Sequence, residues 1–384
     1  MDFDLTEEHR MIREMSRDFA DEVIAPRAEE MERTGAYPYD IYARMAELGM
    51  MGIPFPETCG GSGGDWVGMH LCIEEIARGD ITVAACLEVT TSVVGEELFA
   101  FGTEEQQQEW LVPIARGTQI GAFGLTEADT GSDAASLRTT ARKDGDEWVL
   151  DGAKQFITNI GMDTSSMVIV AARTGVQKNG SPAISTFIVP KTAPGFSLGK
   201  RYEKMAWHAS ATHEIILDHC RIPAANLLGD PERGFAQHLA ALQTGRVSLA
   251  AMSIGLAQAC LDASLKYAQE RTQFGKPIFE HQAVSFKLAD MAVSIELARN
   301  LMLKAAWLKD HKRKYIFEAA AAKLYASEMA EKAASDAVQI HGGYGCMDEY
   351  PVSRYYRSSK FLQIVEGTSE VQRMIIGRVL AGKM

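Results

Sequence analysis

From Thr6 onward, apolar residues recur at spacings of three and four, at Ile12, Met15, Phe19 and Val23, until Pro26 interrupts the run. That period predicts an amphipathic helix, with Thr6 as N-cap and Glu7 and Glu8 as an acidic first turn. Further helical segments are expected around residues 40–50, 67–78, 83–101 and 104–115, broken by the glycine-rich loop Pro56–Gly64. Between about 120 and 228 the pattern changes to short runs with strand character, Glu147–Leu150, Met167–Ala172, Thr186–Val189 and Glu214–Leu217, separated by Gly, Pro, Asn and Asp. No helix-length period interrupts them, so an antiparallel sheet or barrel fits better than a parallel α/β sheet. After Gly229 the helical period returns: Val284, Leu288, Met291, Ile295 and Ala298 form one stripe, and residues 316–339 are alanine-rich. The basic turn Lys309–Lys314 between them reads as a solvated loop. The order helical, β, helical predicts an α+β fold without internal repeats.

Composition narrows the function classes. The chain has 384 residues, 46% hydrophobic and 23% charged, and a net charge of −12. That charge argues against binding a nucleic-acid backbone or an anionic membrane through an overall field. Six cysteines, at 59, 72, 86, 220, 260 and 346, form no CxxC pair and read as buried thiols in a reducing compartment. The acidic stretch Met1–Glu8 lacks the features of a signal peptide, and no apolar run approaches the roughly 20 residues of a membrane span. A cytoplasmic protein without membrane insertion is expected. Gly60–Gly64 follows no strand and opens no βαβ unit, which argues against a nicotinamide-binding fingerprint. His208, His213 and His219, spaced by five and six, do not stay on one strand face, so no metal is expected.

Two segments carry candidate chemistry. Phe123–Asp133 is rich in hydroxyls and backbone donors, with Gly131 allowing close approach; such a loop can hydrogen-bond a heterocycle and a pyrophosphate without net positive charge. Near the C-terminal end, Ile364 and Val365 lead into Glu366, Gly367, Thr368, Ser369 and Glu370. A carboxylate behind two apolar residues is partly desolvated, which raises its proton affinity toward that of a usable base.

Five segments in order resemble the acyl-CoA dehydrogenases: Leu125–Asp133, Lys154–Asn159, Glu270–Pro277, Gln339–Gly345 and Val365–Ser369. The resemblance covers nearly the whole chain. It implies a helical domain at 1–118, a central antiparallel β-barrel-like domain at 119–228 and a four-helix bundle at 229–384, with FAD between the last two. Phe123, Leu125, Thr126, Gly131, Ser132, Phe156 and Thr158 then match flavin-contacting positions, as do Thr368 and Glu370. Arg271, Phe274, Gln282, Gln339, Gly342 and Gly343 match positions that reach the adenine and pyrophosphate end of a neighbouring subunit's FAD, implying an oligomer, expected to be a homotetramer built as a dimer of dimers. Glu366 matches the base that removes the α-proton while the β-hydride goes to the flavin, and fixed donors to the enolate oxygen contribute about 3–4 kcal/mol each. Ser132, Gln243, Arg246 and Gly367 match substrate-contacting positions.

One subgroup of that family carries its base immediately before a helical arginine. Here Gly245 precedes Arg246, so the base is expected at Glu366, as in short-chain and short-branched-chain members. Two segments depart from the family pattern: Gln243 stands where an Asp is common, and Ala206-Trp207-His208-Ala209 replaces a glycine-plus-arginine segment. The stretch Ala85–Gly95, which aligns with the helix lining the acyl pocket, is polar, with Thr90, Thr91 and Ser92 in a row. A short, branched, cyclic or functionalised acyl group is therefore expected, with electrons passing to an electron-transfer flavoprotein. The alternatives are an oxidase-like or enoyl-CoA reductase activity on the same scaffold, or a non-catalytic interaction protein.

Overall fold

Thr6 caps the first helix as its position requires: its hydroxyl accepts the His9 N–H at 3.2 Å, and α1 runs Glu7–Phe19. The computed structural model describes residues 4–177, 180–231 and 233–383, so Met1–Phe3 of the acidic N-terminal stretch lie outside the described residues. Contrary to the expectation from Pro26, helical structure continues through a π turn at Ala20–Ile24 and a 3-10 turn at Ala25–Arg27 into α2, Ala28–Thr34. Proline at the start of a new turn sits where no N–H is needed, so it redirects the chain without ending it. The remaining helices of this region are α3 (Tyr39–Glu47), α4 (Trp66–Gly79), α5 (Ile81–Glu88), α6 (Glu96–Phe101), α7 (Glu104–Gln106) and α8 (Val112–Ala115). A π-helical segment, Val89–Gly95, joins α5 to α6.

The central region is one eight-stranded sheet of β1 (Ile120–Gly124), β2 (Thr140–Asp144), β3 (Glu147–Thr158), β4 (Ser165–Val176), β5 (Pro182–Pro190), β6 (Phe196–Arg201), β7 (Thr212–Pro223) and β8 (Leu227–Leu228). Its path runs β6-β7-β3-β2-β4-β5-β8, with β1 beside β4. Most neighbours are antiparallel, as expected, but β1 and β2 each run parallel to β4. Those two strands are short, and their parallel pairing depends on chain crossings that periodicity does not encode. Alternate side chains, among them Leu150, Val168, Val170, Phe187, Ile215 and Ile222, fill the core of the sheet.

The C-terminal region holds the long helices α9 (Gly234–Glu270), α10 (Gln282–Asp310) and α11 (Ile316–His341), then α12 (Pro351–Ile364) and α13 (Ser369–Leu380). A small hairpin of β9 (Thr272–Gln273) and β10 (Lys276–Pro277) links α9 to α10. By length and composition α9 could cross a membrane, but 78% of its apolar window is buried within the fold, which makes it a core helix. It packs against both α4 and α11, so the N- and C-terminal helices share one core containing Ile73, Ile76, Leu249, Met252 and Ala330. The Lys309–Lys314 turn is not merely solvated: the Asp310 carboxylate accepts the N–H groups of Trp66 and Val67 at 2.9 and 3.1 Å at the start of α4, and Lys309 pairs with Glu96. Five cysteines are buried as expected; Cys346 is exposed.

Candidate active site

The loop after β1 is held by a buried ion pair. Lys154 on β3 donates to Glu127 at 2.7 Å and to the Leu125 carbonyl at 3.1 Å; Glu127 also accepts the backbone N–H groups of Arg138 and Thr139. Burial pushes Lys154 down to about 8. Burial would raise Glu127, but the hydrogen bonds, Lys154 first, hold it below the usual carboxylate range. Leu125 and Thr126 are thereby fixed, half-buried, while Gly131 and Ser132 stay exposed.

Register between β3 and β7 slips between Lys154 and Ile157, and at this bulge Phe156 takes φ +61°. The bulge re-aims the Phe156 side chain out of the sheet, leaving it 58% exposed, with the Tyr202 ring 4.9 Å away. Asn159, at φ +73°, ties the same strand to the helices: its amide donates to the Cys86 carbonyl, the Thr90 hydroxyl and the Gly121 carbonyl.

Glu366 lies between α12 and α13 in the left-handed region, φ +55°, followed by Gly367 at φ +100°. A non-glycine residue there costs about 1–2 kcal/mol. The strain is held by buried Lys323 of α11, which donates to the Gly367 carbonyl at 2.8 Å, and by Gln372, which donates to the same oxygen at 2.9 Å. Thr368 caps α13 by accepting the Val371 N–H at 3.3 Å, and Glu370 is exposed in its first turn. A side chain at Gly245 would overlap the Glu366 carboxylate, whose Oε2 is buried and makes no hydrogen bond within the chain.

Charge around this carboxylate comes from three elements. Burial raises the Glu366 proton affinity; a hydrogen bond from Glu88 of α5, then the charges of Arg246 on α9 and Lys323 on α11, act against it. Glu88 itself is pushed well above the usual carboxylate range by burial and by the facing Glu366. Lys323 is lowered to about 8 by burial, and Arg246 is lowered for the same reason. The Nε of Arg246 is buried without a partner in the chain. Sequence reasoning missed Glu88, Lys323 and Gln372; for the first two the available signal was a charged residue inside an otherwise apolar or alanine-rich helical stripe.

Of the Ala85–Gly95 hydroxyls, Thr90 donates to the Cys86 carbonyl and Thr91 to the Met51 carbonyl, so both serve the fold. Ser92 Oγ and Glu88 Oε1 remain buried and unpartnered. Gln243 is half-buried on α9. The departing segment 206–209 packs inward: Ala206 and Ala209 are buried, Trp207 stacks on Phe361, and His208 binds Glu32. His208, His213 and His219 meet different surroundings: His219 bonds Asp218, whereas His213 lies over Gly161.

A concavity of about 520 Å³ opens between the end of α9 and the end of α11. Arg271, Gly342 and Gly343 line it beside Tyr267, His341 and Tyr344, and the Arg271 guanidinium lies 5.8 Å from the Tyr344 ring centroid. Arg271 and the two glycines bring a planar fork and close-approach backbone to one cradle, which suits a pyrophosphate. Gln282 and Gln339 are exposed outside that lining, and Phe274, at φ +55° on the hairpin tip, is 94% exposed.

Three family models match the chain: acyl-CoA dehydrogenase N-terminal domain over residues 6–118, middle domain over 122–220 and C-terminal domain over 232–381. A probable acyl-CoA dehydrogenase of Bacillus subtilis, YngJ, is 52% identical over 380 residues, covering 99% of this chain and 100% of that one. The caffeyl-CoA reductase-Etf complex subunit CarC of Acetobacterium woodii is 42% identical, covering 98% and 99%. The structure of butyryl-CoA dehydrogenase from Megasphaera elsdenii matches with a TM-score of 0.96 at 41% identity, over 99% and 100% of the two chains. That of a glutaryl-CoA dehydrogenase from Mycobacterium smegmatis in complex with FADH2 matches with 0.92 at 31%, over 99% and 96%. With family models spanning all three regions and full-length relatives far above the level of chance, the chain belongs to the acyl-CoA dehydrogenase family of FAD-dependent oxidoreductases.

Proposed function

We propose that Glu366 is the base that takes the α-proton of an acyl-CoA thioester, making the 2,3-enoyl-CoA. The observation that carries this is the Glu366 carboxylate itself: raised in proton affinity, with Oε2 buried and unpartnered over a glycine that leaves room for it. FAD, when bound, supplies the acceptor for the β-hydride. Phe123, Leu125, Thr126, Gly131, Ser132, Phe156 and Thr158 form the wall offered to its ring, and Thr368 and Glu370 the adjoining turn. Exposed Phe156 shields the ring from water, and Lys154 with Glu127 keeps the loop donors in place before ligand arrives. Arg246 and Lys323 balance the charge of Glu366, and Gly367, with no side chain, lets the thioester approach. Ser132, Gln243 and Arg246 face the substrate.

A short, branched, cyclic or functionalised acyl group is the favoured substrate. Ser92 Oγ and Glu88 Oε1 are buried and unpartnered in this segment, polar atoms that a long alkyl chain packed against them could not satisfy. Electron-transfer flavoprotein is the proposed acceptor, in line with the Etf complex named for the Acetobacterium relative. Six unpaired thiols suit a reducing, cytoplasmic setting.

The test is Glu366→Gln. The variant is expected to keep bound yellow FAD and to bind acyl-CoA, while anaerobic bleaching of the flavin by butyryl-CoA disappears. Residual bleaching within tenfold of wild type would place the base elsewhere.

A further inference from the structure

His238 on α9 and Glu97 on α6 form a second buried acid–base pair, away from Glu366. Both side chains are fully buried, and Nδ1 of His238 stands 3.0 Å from Glu97 Oε1, the geometry of an N–H donated to a carboxylate. Their second polar atoms, His238 Nε2 and Glu97 Oε2, make no hydrogen bond within the chain. The imidazole lies flat on the ring of Phe123, with centroids 3.8 Å apart and planes 9° from parallel.

The placement of the pair relative to the active site follows from helix geometry. His238 and Gly245 are seven residues apart on α9, so they leave it from nearly the same face, about 10 Å apart along the axis. Gly245 abuts the Glu366 carboxylate and Val93. Between the two ends, Val93, Ala241 and Leu242 cluster with Phe123 and Leu125. One packed apolar cluster thus lies between Glu366 and the His238–Glu97 pair behind Phe123.

An apolar pair of similar volume would fill the space behind Phe123 at no net cost, because desolvating two ionisable groups offsets what their attraction returns. A hydrogen-bonded pair does what two leucines cannot: it fixes the rotation of a flat ring. We propose that Glu97 and His238 are positioning residues for Phe123: the carboxylate sets the imidazole plane, the imidazole sets the phenyl plane, and the phenyl ring presents a fixed face to the flavin. This rests on the reading of Phe123 as a flavin contact.

The test uses FAD-loaded protein and the double variant Glu97→Leu/His238→Leu, with Glu97→Gln as the conservative control. The double variant is expected to melt no lower than wild type, yet to show a displaced flavin absorption band and a rate of flavin reduction by butyryl-CoA lower by on the order of ten- to a hundredfold. Glu97→Gln, which keeps an oxygen facing Nδ1, should restore the wild-type band. A double variant with the wild-type band and rate overturns the proposal. Should the double variant not fold, His238→Phe, a stacking ring without the hydrogen bond, is measured instead, and an unmoved band again overturns it. A wild-type protein that holds FAD but is bleached by no acyl-CoA would sink the reaction proposed above, and the band shift would still judge the pair.

Discussion

Glu366 and Glu88 bring two carboxyl groups into one desolvated space, and their coupling sets the pH at which the base is available. Burial raises both, and the two groups face one another, so a proton held on Glu88 can be donated in a hydrogen bond that favours the charged form of Glu366. The active form of a base is the carboxylate, so activity falls as pH drops through the raised Glu366 value. Removing the donor should raise that value further. Glu88→Leu is therefore expected to move the acidic limb of kcat/KM to higher pH, whereas Glu88→Gln, which retains a donor, should leave it nearer the wild-type position. An acidic limb unmoved in Glu88→Leu would show that the two groups do not communicate. Lys323 and Arg246 face Glu366 from α11 and α9 and remain in both variants.

The elements around the site are shaped by local departures from regular geometry. The bulge in β3 turns Phe156 outward, and the π-helical segment Val89–Gly95 shifts the stretch that carries Ser92 and Val93 against α9. On α9 itself, Gly245 is required by the approach of Glu366. Gly245→Ala keeps helix propensity, and even improves it. Its methyl group must nevertheless displace the carboxylate, so the expected outcome is a folded, flavin-loaded enzyme slower by on the order of a hundredfold in flavin reduction. Normal turnover in that variant would mean that Glu366 has room to act from another rotamer.

At the scale of the whole molecule, an exposed apolar face lies on α10, the helix that follows the hairpin after α9. Phe286, Val293 and Leu297 are exposed on one face of α10 at spacings of seven and four, and Phe274 projects from the hairpin beside it. A second copy is the occupant we propose for this face, in a homotetramer whose subunits share FAD through Arg271, Gln282, Gln339, Gly342 and Gly343. Phe274→Asp combined with Leu297→Asp should yield smaller species in sedimentation that release FAD. Monomers that hold FAD as tightly as the assembly would refute the shared site.

The sequence by itself determined the order of helical and β regions, the amphipathic stripes of α1 and α10, and the segments that resemble a flavin-dependent family, because periodicity, caps and short motifs are written in neighbouring residues. Only the tertiary structure decided which groups meet. It made parallel neighbours of β1, β2 and β4, brought Glu88, Arg246 and Lys323 around Glu366 from three helices, and assigned Thr90 and Thr91 to backbone carbonyls although their letters read as pocket lining. It also carried helical structure past Pro26 and made Asp310 an acceptor for the first two N–H groups of α4. The physical reason is common to all of these. Burial and electrostatic coupling depend on distance in space, and residues far apart in the chain share a dielectric environment only after the helices and the sheet have packed.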